Sequence, residues 1–154
     1  MRCYRITTAR YAQKLSGEGA RLYGGRWNSE GRSLIYTAQT SSLAMLEILV
    51  HINATLVGSD FCLMVIEVPD TLVRRPLSLS DLPLHWDKNP HEYGTQKLGD
   101  DFIARSEKAV MGVPSAINTL EHNYLINDMH PDFNQVKLVE TIPIDFDRRL
   151  LDSV

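Results

Sequence analysis

Apolar and polar positions divide this chain into blocks. Phe61–Val68 is an almost unbroken apolar run closed by Pro69-Asp70, which predicts a buried strand. Arg2–Thr7, Leu34–Ala38, Lys108–Val113 and Val136–Ile144 predict further strands, and Ser115–Leu120 reads as an extended continuation beyond Pro114. Leu43–Val50 is apolar throughout except at Glu47, a breadth that predicts a buried helix. Either Ser41 or Ser42 would cap that helix, and it would run to about Ile52. The spacing of Leu98, Phe102 and Ile103 predicts a second helix over Thr95–Glu107, and Thr8–Leu15 is weakly helical. Leu72–Pro90 is proline-rich and aperiodic, so it reads as a long irregular crossing segment. Gly17, Gly19, Gly24 and Gly25 make a flexible entry to the Leu34 strand, and Asn123–Phe133 reads as polar and turn-rich. The order of elements, about five or six strands with two or three helices, predicts an α+β fold with one compact domain over residues 1–154.

The stretch Gly24–Ile52 carries the candidate chemistry. A lone carboxylate inside an apolar helix must be paired, protonated or turned toward a cavity, because an unpaired buried charge costs several kcal/mol (order of magnitude). Glu47 is therefore the anchor of a buried ion pair with Arg26 or Arg32, or the acid of an active site. Arg26 sits on a loop flanked by Gly24 and Gly25, where a guanidinium can be presented to a carboxylate or phosphate. Tyr36 lies mid-strand, where most tyrosines pack, but beside such a loop its ring can face a planar heterocycle. His51 follows Glu47 by one turn and reads as a satisfied helix-end histidine. Ser115, after Val113-Pro114, carries little signal alone.

Composition narrows the classes. A formal charge of -3 gives no bulk attraction to nucleic acid or anionic membrane. No apolar run approaches the ~20 residues needed to span a bilayer. Cys3 and Cys62 are far apart, and the five histidines show no ligand spacing, so no metal site is expected. The N-terminus lacks the apolar region of a secretory signal, and the cysteine usage suits a reduced, cytoplasmic protein. Without such a signal, the sequon Asn53-Ala54-Thr55 carries no weight. The glycines do not match a dinucleotide fingerprint, and there is no phosphate-loop Gly-Lys-Ser/Thr.

Taken in order, Gly25-Arg26-Trp27-Asn28 with Gly31, Tyr36-Thr37-Ala38, Leu46–His51, Leu98-Gly99-Asp100, Val113–Ala116, Asn123–Asn127, His130–Phe133 and Phe146–Leu150 resemble the RES domain family over nearly the whole chain. The Arg, Glu and Ser of that family's name match Arg26, Glu47 and Ser115. One departure is Asp128, where the family pattern leads one to expect proline.

The resemblance implies an ADP-ribosyltransferase-like mixed sheet with flanking helices. It also implies a bacterial type II toxin that consumes NAD⁺ as substrate, without a resident cofactor, by hydrolysis, phosphorolysis or ADP-ribose transfer to a protein. It implies an Xre-like helix-turn-helix antitoxin as partner, and a homodimer within a larger toxin–antitoxin assembly in the cytoplasm. In that frame Glu47 stabilises the cationic sugar of the transition state, and Arg26 neutralises pyrophosphate and pairs with Glu47 when substrate is absent. Tyr36 orients the nicotinamide end, and Ser115, Gly25 and Asn28 contact substrate. Arg32 is the nearest candidate for a second anion site. A non-catalytic nucleotide- or partner-binding module is the alternative from another class, separated by an NAD⁺ consumption assay.

Overall fold

A computed structural model describes residues 1–51 and 60–151. The expected helix end at Ile52 and the sequon Asn53–Thr55 lie outside the described residues. Seven strands form one sheet: β1 (Arg2–Thr8), β2 (Ile35–Ala38), β3 (Phe61–Glu67), β4 (Val73–Arg74), β5 (Val110–Pro114), β6 (His122–Ile126) and β7 (Lys137–Ile144). Their order is β4-β5-β6-β2-β1-β3-β7. Every neighbouring pair is antiparallel except the edge pair β4–β5, which makes the sheet mixed. The α-helices are α1 (Glu18–Tyr23), α2 (Ser41–Leu49), α3 (Tyr93–Arg105) and the terminal turn α4 (Arg148–Leu151).

The strict alternation of strands sorts the core onto two faces. Cys3, Ile35, Met64, Ile66, Val110 and Ile126 point to one face, where Ala12, Leu72 and Val136 cover them. On the opposite face α2 buries Leu43, Ala44 and Leu49 against Ile6, Ala38 and Phe61. Beside it, α3 and the crossing segment bury Trp27, Trp86 and Phe102 against Met111, Val113 and Leu125. That second face carries the functional residues.

Several elements differ from the sequence expectation. Thr40, not Ser41 or Ser42, caps α2: its backbone is extended and its Oγ1 accepts the Leu43 N–H at 3.1 Å. α2 is only half buried, with Leu46 43% exposed and its C-cap Val50 60% exposed, because the helical period turns part of a largely apolar run outward once the other part meets the sheet. Within the Gly-rich entry, Glu18–Tyr23 forms a helical turn-and-a-half. Beyond β5, residues 115–120 turn rather than extend, and the polar-looking stretch after them supplies β6, paired to both β2 and β5.

β1 and β2 meet in register at Tyr4↔Ala38 alone, whereas β1 pairs with β3 along its full length from Arg2↔Glu67 to Thr8↔Phe61. The two strands therefore part beyond that pair, and the parting opens the cleft described next.

Candidate active site

A cleft of about 230 Å³ lies where β1 and β2 separate. Tyr4, Arg5 and Ile6 of β1, Tyr36 and Ala38 of β2, Glu47 and Ile48 of α2, and Asn123 of β6 line it. The register row Val113–Asn123–Ala38 sets the Asn123 amide directly on the α2 face of the sheet.

Glu47 is held from below. Ser115 Oγ donates to its Oε1 at 2.9 Å, and Asn123 Nδ2 donates to the same oxygen at 2.5 Å. Its Oε2 has no hydrogen-bond partner among the described residues. Ser115 is fully buried, and its Oγ also accepts the N–H groups of Ile117 and Asn118, so one hydroxyl both closes the turn and aims the carboxylate. Glu121 ties that turn to the start of α2. Its Oε1 accepts from the Thr40 hydroxyl and its Oε2 from Asn118 Nδ2. The residue that caps the helix and the residue that orients its carboxylate thus belong to one network.

Tyr36 lines the cleft, while its hydroxyl is committed elsewhere. It donates to Asn28 Oδ1 at 2.7 Å and accepts the Trp27 N–H at 3.0 Å. Burial pushes its pKa well above the usual phenol range, opposed by the Trp27 N–H and by the charge of Arg26. Asn28 is wholly buried, and its Nδ2 donates to the carbonyls of Ala20, Ser29 and Arg32. The expected substrate contact at Asn28 is therefore corrected: its amide is spent folding the loop. Gly25 has the same role, since a Cβ there would stand 2.6 Å from the Tyr36 hydroxyl.

Arg26 does not pair with Glu47, contrary to expectation; no ion pair joins them among the described residues. Its Nη1 donates to the carbonyls of Trp86 (2.5 Å) and Lys88 (2.9 Å), and its Nη2 reaches that of Asp87 (3.4 Å). Burial pulls its pKa below the ordinary value, and Glu47 and Asp87 act against that pull. The charge of Glu47 is thus felt by Arg26 without contact. The guanidinium pins the crossing segment over the loop, where Trp86 packs on Trp27 with ring centroids 6.3 Å apart. Arg32 is exposed and absent from the cleft lining, so it does not supply a second anion site there.

Sequence reasoning missed two participants, Asn123 and Arg5. Asn123 gave no local signal, because an amide in a polar strand end looks like a turn residue. Arg5 lines the cleft, donates to the Ser16 carbonyl at 3.0 Å, and is held below its normal pKa by burial against the opposing charge of Asp128. Asp128, where the chain departs from the family pattern, itself accepts the Gly17 N–H at 2.8 Å. His51, read from the sequence as a helix-end histidine one turn after Glu47, lines the cleft just beyond the end of α2. Among the described residues no group of three His, Cys, Asp or Glu could hold a metal ion, and no helix is long and apolar enough to cross a membrane.

The RES domain model matches residues 2–147, and the chain belongs to the RES domain family. Toxin Res of Photorhabdus laumondii is 35% identical over 152 residues, covering 97% of each chain. The Prs ADP-ribosylating toxin of a Sphingobium species is 34% identical over 142 residues, covering 91% of this chain and 88% of that protein. A chain in the crystal structure of the M. tuberculosis MbcT–MbcA toxin–antitoxin complex shares the fold, with a TM-score of 0.78 at 24% identity, covering 93% of this chain and 83% of that one. The α+β architecture expected from the sequence, a mixed sheet with flanking helices, is the one observed.

Proposed function

We propose that this protein is the toxin of a type II toxin–antitoxin pair and that it cleaves the bond between nicotinamide and ribose in NAD⁺. Depletion of the cellular NAD⁺ pool would then arrest growth. The observation that carries the chemistry is a single carboxylate, Glu47, fixed through one oxygen by Ser115 and Asn123 while the other oxygen is left to the cleft.

Breaking the glycosidic bond sends its electron pair out with nicotinamide and leaves positive charge on the ribose, as in glycoside hydrolysis. A carboxylate aimed at that carbon stabilises the cation before the nucleophile arrives, at no reorganisation cost. Water then adds to the sugar carbon and gives its proton to Glu47 or to solvent. Tyr36 presents its ring to the planar leaving group, and its hydroxyl keeps the Arg26 loop in place. Arg26 contributes through its field and through the segment it pins. NAD⁺ is substrate in this scheme, and no resident cofactor is needed.

A second reading, transfer of ADP-ribose to a protein side chain, is supported by the Sphingobium relative, whose name describes an ADP-ribosylating toxin. The partner we assign is an Xre-like helix-turn-helix antitoxin, supported in kind by the toxin–antitoxin complex that shares this fold. DNA binding by the complex would come from that partner, given the acidic net charge of this chain. A toxin homodimer inside the assembly and action in the cytoplasm complete the proposal.

The test is NAD⁺ consumption in phosphate-free buffer by wild type and Glu47→Gln, which keeps the shape and removes the charge. A loss of at least ~10²-fold is expected for a group acting in the transition state. Equal turnover by the variant would make Glu47 structural. Label from NAD⁺ accumulating on a protein band, without free ADP-ribose, would select the transferase reading.

A further inference from the structure

Glu121 stands outside the cleft lining, at the end of the turn that begins with Ser115 and just before β6. Both of its carboxylate oxygens are spent on neutral donors. Oε1 accepts the Thr40 hydroxyl at 2.7 Å, and Oε2 accepts Asn118 Nδ2 at 2.8 Å. No Lys, Arg or His pairs with it among the described residues. Its backbone closes the same turn: the carbonyl accepts the Ser115 N–H at 3.0 Å, and the N–H donates to the Asn118 carbonyl at 3.0 Å.

α2 meets the sheet through Leu43, Ala44 and Leu49. Apolar contact of this kind is non-directional, whereas a hydrogen bond holds its partners to a narrow range of distance and angle. The helix makes two such bonds to the turn, at its cap Thr40 with Glu121 and at Glu47 with Ser115. Thr40 and Glu47 are about two helical turns apart, so both lie along one side of α2, ~10 Å from each other along its axis. The turn therefore grips the helix at both ends of that stripe. Asn118 links the two grips: its side chain donates to Glu121, and its backbone N–H donates to Ser115 Oγ. A shift of Glu121 is passed through Asn118 to the hydroxyl that holds Glu47.

We infer that Glu121 is a positioning residue for Glu47: its carboxylate locks the start of α2 to the Ser115 turn, so that helix and turn carry the reacting carboxylate and its donor in one fixed relation. The inference rests on the reading of Glu47 as the group that meets the sugar carbon, and it adds a second carboxylate that never touches substrate. The two acids divide the work by how their oxygens are used. Glu121 is satisfied on both oxygens, and Glu47 on one among the described residues. The charge of Glu121 also lies beside the N-terminus of α2, where the helix dipole favours an anion.

The test uses the full chain with Glu121→Ala. Glu121→Gln is the second variant should the first melt too low to assay; it keeps the length but offers one acceptor oxygen. Misplacing a reacting group by about 1 Å can cost on the order of 10²-fold. Glu121→Ala should therefore lower kcat for NAD⁺ about tenfold or more and leave KM within about twofold, with Glu121→Gln between it and wild type. A residue that acts only through Glu47 has nothing left to position once that charge is gone. Glu121→Ala added to Glu47→Gln should thus cost less than about twofold further, whereas a residue that merely supports the fold would cost its full factor in either background. An independent readout is the side-chain amide of Asn123, whose proton given to Glu47 Oε1 is followed by NMR. Glu121→Ala should move that resonance toward its position in Glu47→Ala. Wild-type kcat in both Glu121 variants, a full-sized loss on the Glu47→Gln background, or an amide resonance that stays in place overturns the inference. If wild type consumes no NAD⁺, the proposed reaction fails, and the amide resonance decides the positioning role by itself.

Discussion

Asn123 donates its amide to Oε1 of Glu47, and the Oδ1 of that same amide is buried without a partner. An unsatisfied buried carbonyl costs on the order of 1–3 kcal/mol. The amide accepts that cost in the orientation that serves the carboxylate. With Ser115 on the same oxygen, the carboxylate is held through Oε1 by two donors at the edge of the cleft that Glu47 lines.

Replacing Asn123 by Asp sets a like charge against Glu47. The new carboxylate removes the amide donor and repels the carboxylate it faces, so kcat should fall about tenfold or more. Asn123→Ala, which removes the donor without adding charge, should fall less. Equal turnover by Asn123→Asp and wild type would show that the amide does not set the Glu47 carboxylate for catalysis.

Arg26→Ala removes charge-assisted bonds to the carbonyls of Trp86 and Lys88 rather than half of an ion pair. Each such bond is worth about 1.5–3 kcal/mol at full strength and less at a half-exposed site, so a loss of about 1–3 kcal/mol is expected. Cleavage by protease should increase between residues 83 and 90. Arg26→Lys should recover little, because an ammonium cannot span adjacent carbonyls as a planar fork does. A denaturant melt and limited proteolysis check both, and an unchanged melt with unchanged cleavage would place the function of Arg26 in chemistry alone.

The sequence made the strands with apolar runs legible, β3 above all, because seven residues such as Phe61–Glu67 can be buried on both faces without any help from context. β6 was not legible. His122, Asn123 and Tyr124 are half exposed, and what makes them a strand is pairing with β2 and β5 on either side. Glu47 was legible as an oddity inside an apolar helix, but not its partners. The sequence offered Arg26 or Arg32 as its counter-ion, whereas Arg26 is bonded to carbonyls 60–62 residues away. Charge can be read from composition, but long-range backbone geometry cannot.

Gly99 of α3 lies so close to the loop that a Cβ would stand 1.7 Å from the Trp27 carbonyl oxygen. The obstacle is backbone, so neither side can yield cheaply. Gly99→Ala should cost more than ~2 kcal/mol in a denaturant melt, as overpacking does. Gly19→Ala is the control. A Cβ there meets nothing within 4 Å, and the helical site should gain about 0.5 kcal/mol. Equal melts for the two variants would mean that α3 is free to shift away from the loop.

Cys3 is fully buried, and burial pushes its thiol up to about 11. The folded state holds that proton more tightly than the unfolded chain, whose thiol titrates near 8.5. The stabilisation is complete below the unfolded value and is lost as pH rises through the folded one. Stability should therefore fall between about pH 9 and 11, by on the order of 2–3 kcal/mol from this group. Cys3→Ala should flatten that part of the curve. A wild-type curve that is already flat there would show that the thiol is not held neutral by the fold.

Glu47 waits for donors that come 68 and 76 residues later in the chain. Synthesis runs from the N-terminus at roughly 5–20 residues per second, so on the ribosome α2 precedes Asn123 by roughly 4–15 s. During that interval the carboxylate exists but nothing aims it, and a chain that stops short of β6 never acquires its aim. In the proposed reaction, activity is thereby tied to completion of the polypeptide: prematurely terminated products are expected to be inert, and a partner would have a few seconds to reach the nascent chain before the carboxylate is set.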